Sequence, residues 1–270
     1  MGDAPETWHT AAEIQLVRHG QTETYARDAG LTELGQEQSR TYARDLAAEL
    51  ADGDVIRLVC APAARAARTA DEVCRSLRED AQVRVLGPEV MREFQNFQIR
   101  TPSGLRDVTQ ISSEEREEAA RLGQDGPANG PHWLFELHQF HSKRSKDGDA
   151  IEHWLKSPLL SFEPPALVVR RFWLGARRVV GEPPGGPGGS PPTGNQRRRI
   201  VCCTHSGPMR AFAAWALGRD LGEPDHVERV TIQVDHDLRR ARVTYRDASH
   251  VVPVPPDGEP PAWWDTRQPD

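Results

Sequence analysis

Three features of the sequence predict an α/β fold, a three-layer sandwich with a mostly parallel central sheet covered by helices and an inserted cap region. Short apolar runs recur with the length of buried strands: EIQLVR at 13–18, VIRLVC at 55–60 and RRRIVCCT at 197–204. Each is followed by a stretch in which apolar residues return at helical intervals, the strand-then-helix rhythm of a sheet covered on its faces. The 270 residues, 37% hydrophobic and 27% charged, suffice for one such unit, and no repeat marks a second. One domain over 1–270 is therefore expected.

In chain order, strand 13–18 leads to GLTELGQEQSRTYARDLAAEL, where Thr32 is a helix start and Leu34, Tyr42, Leu46 and Leu50 supply part of an apolar face. Strand 55–60 passes Pro62 into a helix over 64–78, and a short strand follows near 83–86. From 95 to 180 the rhythm breaks. SSEEREEAARLG and PHWLFELHQFHSKRS look helical, and 99–180 is expected to form a cap over the open end of the sheet. GEPPGGPGGSPPTGN, 181–195, has too little apolar surface to fold and reads as a flexible Gly/Pro loop. After strand 197–204, HSGPMRAFAAWALG begins a helix and VTIQVDHDLRRARVTYR alternates as an edge hairpin. Residues 253–270 form a proline-rich, extended tail.

Composition narrows the function. The 34 basic and 40 acidic residues are mixed along a chain of net charge -6, which offers no support for nucleic-acid binding. The opening MGDAPETWHTAAE has neither an apolar nor a basic targeting region, and no run approaches the ~18 apolar residues of a membrane span. A cytoplasmic protein without a membrane partner is expected. Cys60, Cys74, Cys202 and Cys203 lack zinc spacing and read as free thiols, the ordinary finding where a cysteine falls in an apolar strand. His132, His138, His141 and His153 have no carboxylate with a clear geometric claim beside them, so neither metal nor cofactor is expected. HSKRSK at 141–146, with Arg100, Arg106 and Lys156, reads as a solvated helix end rather than a second anion site.

The chemistry concentrates at LVRHGQTE, 16–23. A fixed charge, an imidazole and a glycine stand together where an apolar strand ends, a combination better suited to a phosphate than to a core. If the strands ending at His19 and His205 are parallel, both imidazoles reach one rim of the sheet, and the loop after 55–60 adds Arg65. Arg18, His19, Arg65 and His205 would then surround one anion, with Thr22 nearby and helix N-termini at Gly20 and Gly207 adding backbone donors.

LVRHGQTE resembles the RHG motif of the histidine phosphatase superfamily, also called the phosphoglycerate-mutase-like family. GLTELGQEQ is similar to the segment that follows it there. APAARAARTA is similar to the family's Ser-Pro-Leu-x-Arg-Ala-x-x-Thr-Ala stretch, MREFQNFQ at 91–98 to its glutamate-bearing segment, and CCTHSGPMR carries the second histidine. Tyr25 stands where the family often has asparagine, Ala61 and Ala63 replace serine and leucine, and FQNFQ is a shortened Asp-Phe-Gly-Asn-Phe-Gln.

The resemblance implies that His19 attacks phosphorus to form a phosphohistidine and that Glu93, with Glu89 as runner-up, protonates the leaving oxygen. Arg18, Arg65, His205 and Thr22 would hold the phosphoryl oxygens without a metal. The expected activity is hydrolysis of a small phosphorylated metabolite, compatible with a place in biosynthesis. A phosphoglycerate-mutase-like phosphotransferase and a catalytically weak phosphate-binding protein are the alternatives, and the sequence leaves the oligomeric state open.

Overall fold

Strand alternation sorts the apolar side chains onto two faces. In the computed structural model, which describes residues 10–24, 29–51, 53–80, 83–122, 130–145, 148–181 and 198–255, β1 (Thr10–Arg18) turns Ala12, Ile14 and Leu16 into one core and Val17 into the other. β6 (Arg198–Thr204) does the same with Cys202 against Val201 and Cys203. With β2 (Val55–Cys60), β3 (Arg84–Val90), β7 (Arg229–Asp235), β8 (Arg240–Tyr245) and β9 (Ala248–Pro253), they form a seven-stranded sheet of order β3-β2-β6-β1-β7-β8-β9. The β3, β2, β6 and β1 neighbours pair in parallel, and β7, β8 and β9 continue antiparallel.

One face is covered by α1 (Glu33–Ala48) and α2 (Ala64–Asp80), whose Tyr42, Leu46, Val73 and Leu77 close over Ile56, Leu58 and Val201. The Thr32 hydroxyl caps α1 by accepting from the Gly35 amide at 3.0 Å, so the helix starts where the sequence predicts. The other face is covered by α6 (Pro165–Gly181) and α7 (Ser206–Leu217), which bring Val169, Phe172, Trp173, Ala176, Met209 and Phe212 onto it.

Between β3 and α6 lie a one-turn 3-10 helix (Arg92–Phe94), the hairpin β4 (Gln98–Thr101) and β5 (Gly104–Asp107), and the helices α3 (Ser112–Leu122), α4 (His132–Ser145) and α5 (Ala150–Lys156). They share a third core, in which Phe97 stacks on Trp154 with ring centroids 4.1 Å apart among Ile99, Trp133, Leu137, Phe140 and Phe162.

Several expectations are corrected. The stretch 99–180 divides: α6 belongs to the layer against the main sheet, because its apolar face joins that core. The strand near 83–86 runs on to Val90, and the edge hairpin gains β9, ending at Pro253 where only an extended tail was expected. Residues 182–195, the tail beyond 255 and Tyr25 lie outside the described residues.

Candidate active site

Register brings the two histidines together. In the parallel β1–β6 pair Arg18 lies beside Thr204, so the next residues, His19 and His205, leave adjacent strands at the same rim, and the His19 amide donates to the Thr204 carbonyl at 3.0 Å. The imidazole centroids stand 5.4 Å apart. β2 ends level with them, Cys60 beside Cys203, and delivers Arg65 on the first turn of α2. The Thr69 hydroxyl joins the motifs by donating to the Arg65 carbonyl at 2.8 Å and accepting from the Gly20 amide at 3.0 Å. A Cβ at Gly20 would lie 2.5 Å from the Gly35 carbonyl oxygen, so close backbone approach, not a positive φ, demands the glycine.

Burial fixes the state of both rings. His19 is 2% exposed and His205 3%. Desolvation, reinforced by the charges of Arg65, Arg18 and His226 against a hydrogen bond to Gly20, pulls His19 down to about 3. Desolvation first, then Arg65, His19 and Arg18, holds His205 well below the ordinary histidine range. His19 Nδ1 lies 2.8 Å from the Gly20 carbonyl oxygen. A carbonyl only accepts, so Nδ1 carries the proton and Nε2 keeps the lone pair. Among the described residues, neither ring nitrogen of His205 has a hydrogen-bond partner, an arrangement that costs about 1–3 kcal/mol per group until a ligand arrives.

Arg18, His19, Arg65 and His205 line one cavity of about 570 Å³. Its apolar wall includes Phe97, Val108, Phe140 and Ile151, and its polar lining includes Asn96, Thr109, His141, Asp149, Ser206 and Glu223. Gly207 lets the wall close, since a Cβ there would meet the Phe97 ring at 2.5 Å. Arg65 donates to the Thr109 hydroxyl at 3.1 Å, and Arg18 pairs with Glu223 at 3.1 Å.

Three expected contributors stand elsewhere. Glu93 does not line the cavity: its carboxylate faces Arg178 of α6 at 3.5 Å. The shortened segment turns as a 3-10 helix whose Glu93 and Gln95 carbonyls accept from Arg171 at 2.8 and 3.0 Å, which aims the side chain at α6. Glu89 pairs with Arg57 at 2.6 Å. Thr22 donates to the Gly30 carbonyl at 2.8 Å and is likewise not a lining residue. Nor does a helix start at Gly20, because α1 begins thirteen residues later at Glu33.

Sequence reasoning missed Asp149, Glu223 and His226. The His226 ring lies 5.8 Å from that of His19, and its Nδ1 is 3.0 Å from the His19 carbonyl oxygen. None stands in a motif; each comes from a polar loop remote in sequence. Thr69 alone had a signal, its place in APAARAARTA.

A family model described as the histidine phosphatase superfamily, branch 1, matches residues 14–133. That stretch holds the first histidine, Arg65 and the glutamate segment, and stops short of His205. The match is family-level evidence for a phosphomonoesterase or mutase type of protein acting on small phosphorylated metabolites. The superfamily is metal-independent, and among the described residues no group of three or more His, Cys, Asp or Glu is arranged to hold a metal. No described helix is long and apolar enough to cross a membrane.

Among solved structures, a mycobacterial glucosyl-3-phosphoglycerate phosphatase complexed with VO3 is 20% identical, covering 88% of this chain and 99% of that one with a TM-score of 0.53. A protein described as mycobacterial hydrolase 1 is 19% identical over 88% of this chain and 99% of its own, TM-score 0.52. Mycobacterial hydrolase 2 is 18% identical over 89% and 92%, TM-score 0.51. At such identities the likeness is one of fold. No curated protein matches the chain.

Proposed function

We propose that this protein is a histidine phosphatase that hydrolyses small phosphomonoesters through a phosphohistidine on His19. The observation that carries the reading is the pair of buried, neutral imidazoles opening with two arginines onto one cavity. His19 Nε2 attacks phosphorus in line. Arg18 and Arg65 offer charged donors to the oxygens, and the otherwise unpartnered His205 ring supplies a further N–H. α7 opens onto the same point through Ser206 and Gly207, adding the positive end of its dipole.

The cavity favours hydrolysis over phosphoglycerate mutation. Among its described lining residues Arg18 and Arg65 are the arginines, no lysine joins them, and Asp149 and Glu223 stand with them. A glycerate carboxylate would meet like charge there. The room and the Phe97 and Phe140 wall suit an ester whose alcohol is uncharged and partly apolar.

The test is trapping by alkaline denaturant quench with a phosphorus-labelled ester, read with phosphate release across a metabolite panel. The wild type is expected to give an acid-labile, base-stable phosphoenzyme, and His19→Ala to lose both label and turnover. Turnover retained by His19→Ala defeats the covalent route. Transfer of label to 2- or 3-phosphoglycerate in preference to water makes the protein a mutase.

A further inference from the structure

A phosphohistidine route needs a group that protonates the departing alcohol, and the glutamate of the motif is turned away. Two contacts hold Glu93 outside: its carboxylate faces Arg178 at 3.5 Å, and its carbonyl accepts from Arg171 at 2.8 Å.

Among the described residues lining the cavity, the carboxylates are Asp149 and Glu223. Asp149 is committed. It caps α5 by accepting from the Ile151 and Glu152 amides at 3.0 and 2.9 Å, and it pairs with the buried Arg210 at 2.6 Å. Proton transfer there would cost the cap and the ion pair together. Glu223 caps no helix, and its contact with Arg210 is the longer of the two. It reaches Arg18 Nη2 at 3.1 Å and Arg210 at 3.4 Å, and its side chain is 46% exposed. Arg18 is also the last residue of β1, at the rim beside His19.

We infer that Glu223 is the proton-transfer residue of this site, the role the sequence motif would give to Glu93. The inference rests on the hydrolysis proposed above. A phosphoryl group held by Arg18 is a second acceptor on the guanidinium that Glu223 already contacts, which brings the carboxyl and the ester to the same side chain.

As the His19 Nε2–phosphorus bond forms and the ester P–O bond breaks, the Glu223 carboxyl gives its proton to the bridging oxygen, and neutral alcohol leaves. Water then adds to phosphorus and passes a proton to the Glu223 carboxylate as the Nε2–phosphorus bond breaks. Orthophosphate departs, with neutral imidazole and protonated carboxyl restored.

The experiment compares Glu223→Gln and Glu93→Gln with the wild type on p-nitrophenyl phosphate, whose leaving group needs little protonation, and on glycerol 2-phosphate, whose alcohol needs a proton. General acid catalysis supplies roughly 10²–10⁴-fold. Glu223→Gln is expected to lower kcat/KM for glycerol 2-phosphate by at least ~10²-fold, and for p-nitrophenyl phosphate by a factor at least ~10-fold smaller. Glu93→Gln is expected to change both by less than about 3-fold, the size of an exposed-pair effect. Glu223→Asp retains an acid and is expected to restore part of the lost alkyl-ester activity, which keeps the test decisive if the glutamine variant folds poorly.

Equal losses on both esters in Glu223→Gln, or a leaving-group-dependent loss in Glu93→Gln, overturn the assignment. Those outcomes leave the phosphohistidine intact in the trapping assay. A wild type that neither forms it nor releases phosphate defeats the hydrolysis reading itself, and this inference with it.

Discussion

Arg65 illustrates why residue type matters as well as charge. It is 1% exposed, its guanidinium donates to Thr109, and it lowers both His19 and His205. A lysine in its place keeps the charge but loses the planar fork that meets two phosphoryl oxygens. With charged hydrogen bonds worth about 1.5–3 kcal/mol, Arg65→Lys is expected to weaken competitive inhibition by orthophosphate by ~10- to 100-fold. An unchanged inhibition constant would mean that Arg65 does not touch the anion. Arg18, His19, Arg65 and His205 were legible in the sequence because two apolar runs end in them and a third leads to Arg65. Glu93 was legible in position but not in direction, since a shortened loop rotates a side chain without altering its place in a motif. Asp149 and Glu223 were not legible, because a carboxylate in a polar loop looks the same in sequence whether it faces solvent or a cavity.

The element that decides where that loop points is α6. Its Arg171 lies beside Glu163, which is 0% exposed, in a two-pronged pair at 2.9 and 3.0 Å, while the remaining donors clamp the carbonyls of the 3-10 turn. The Glu163 carboxylate also accepts from the Gln98 amide at 3.2 Å. The pair therefore ties α6 to the 3-10 turn and to β4, and so positions Asn96 and Phe97 in the cavity wall. Arg171→Met strands a buried carboxylate and is expected to cost about 3–5 kcal/mol in urea unfolding. Adding Glu163→Gln is expected to recover part of that loss, whereas strictly additive costs would show that the two residues do not act as a unit. The apolar face of α6, Val168, Val169, Phe172, Trp173, Ala176, Val179 and Val180, lies in PALVVRRFWLGARRVVG, a stretch that the sequence alone places inside the cap. What hid its place in the fold was its position next to helical pieces that do build a separate core. The β9 strand was hidden differently, since ASHVVP is short and runs straight into prolines.

At the scale of the molecule, the sheet order puts the chemistry at one rim and makes the rim sensitive to acid. Parallel β2, β6 and β1 end side by side, so His19 and His205 sit at the C-terminal ends of central strands, buried by α7, α2 and the third core. Both are held below the ordinary histidine value, and His226, lowered chiefly by desolvation, stands against His19. Above pH ~6.5 these rings are neutral in the folded and unfolded chains alike and contribute no pH dependence. Below it the unfolded chain takes up protons that the folded rim refuses, so stability falls with pH by up to about 1.4 kcal/mol per pH unit for each ring. For His19 that loss continues down to its folded value of about 3. Urea midpoints measured without phosphate should therefore drop between pH 7 and pH 5. His205→Gln, which cannot titrate, should flatten the drop, and a midpoint constant over that interval would contradict neutral burial of the rings. Orthophosphate should raise the midpoint at each pH, because an anion that binds only the folded chain stabilises it by mass action, by about 2.7 kcal/mol at a hundred times its Kd. That increment should disappear in a variant lacking both Arg18 and Arg65, which locates the stabilising anion at the rim where the two strands end.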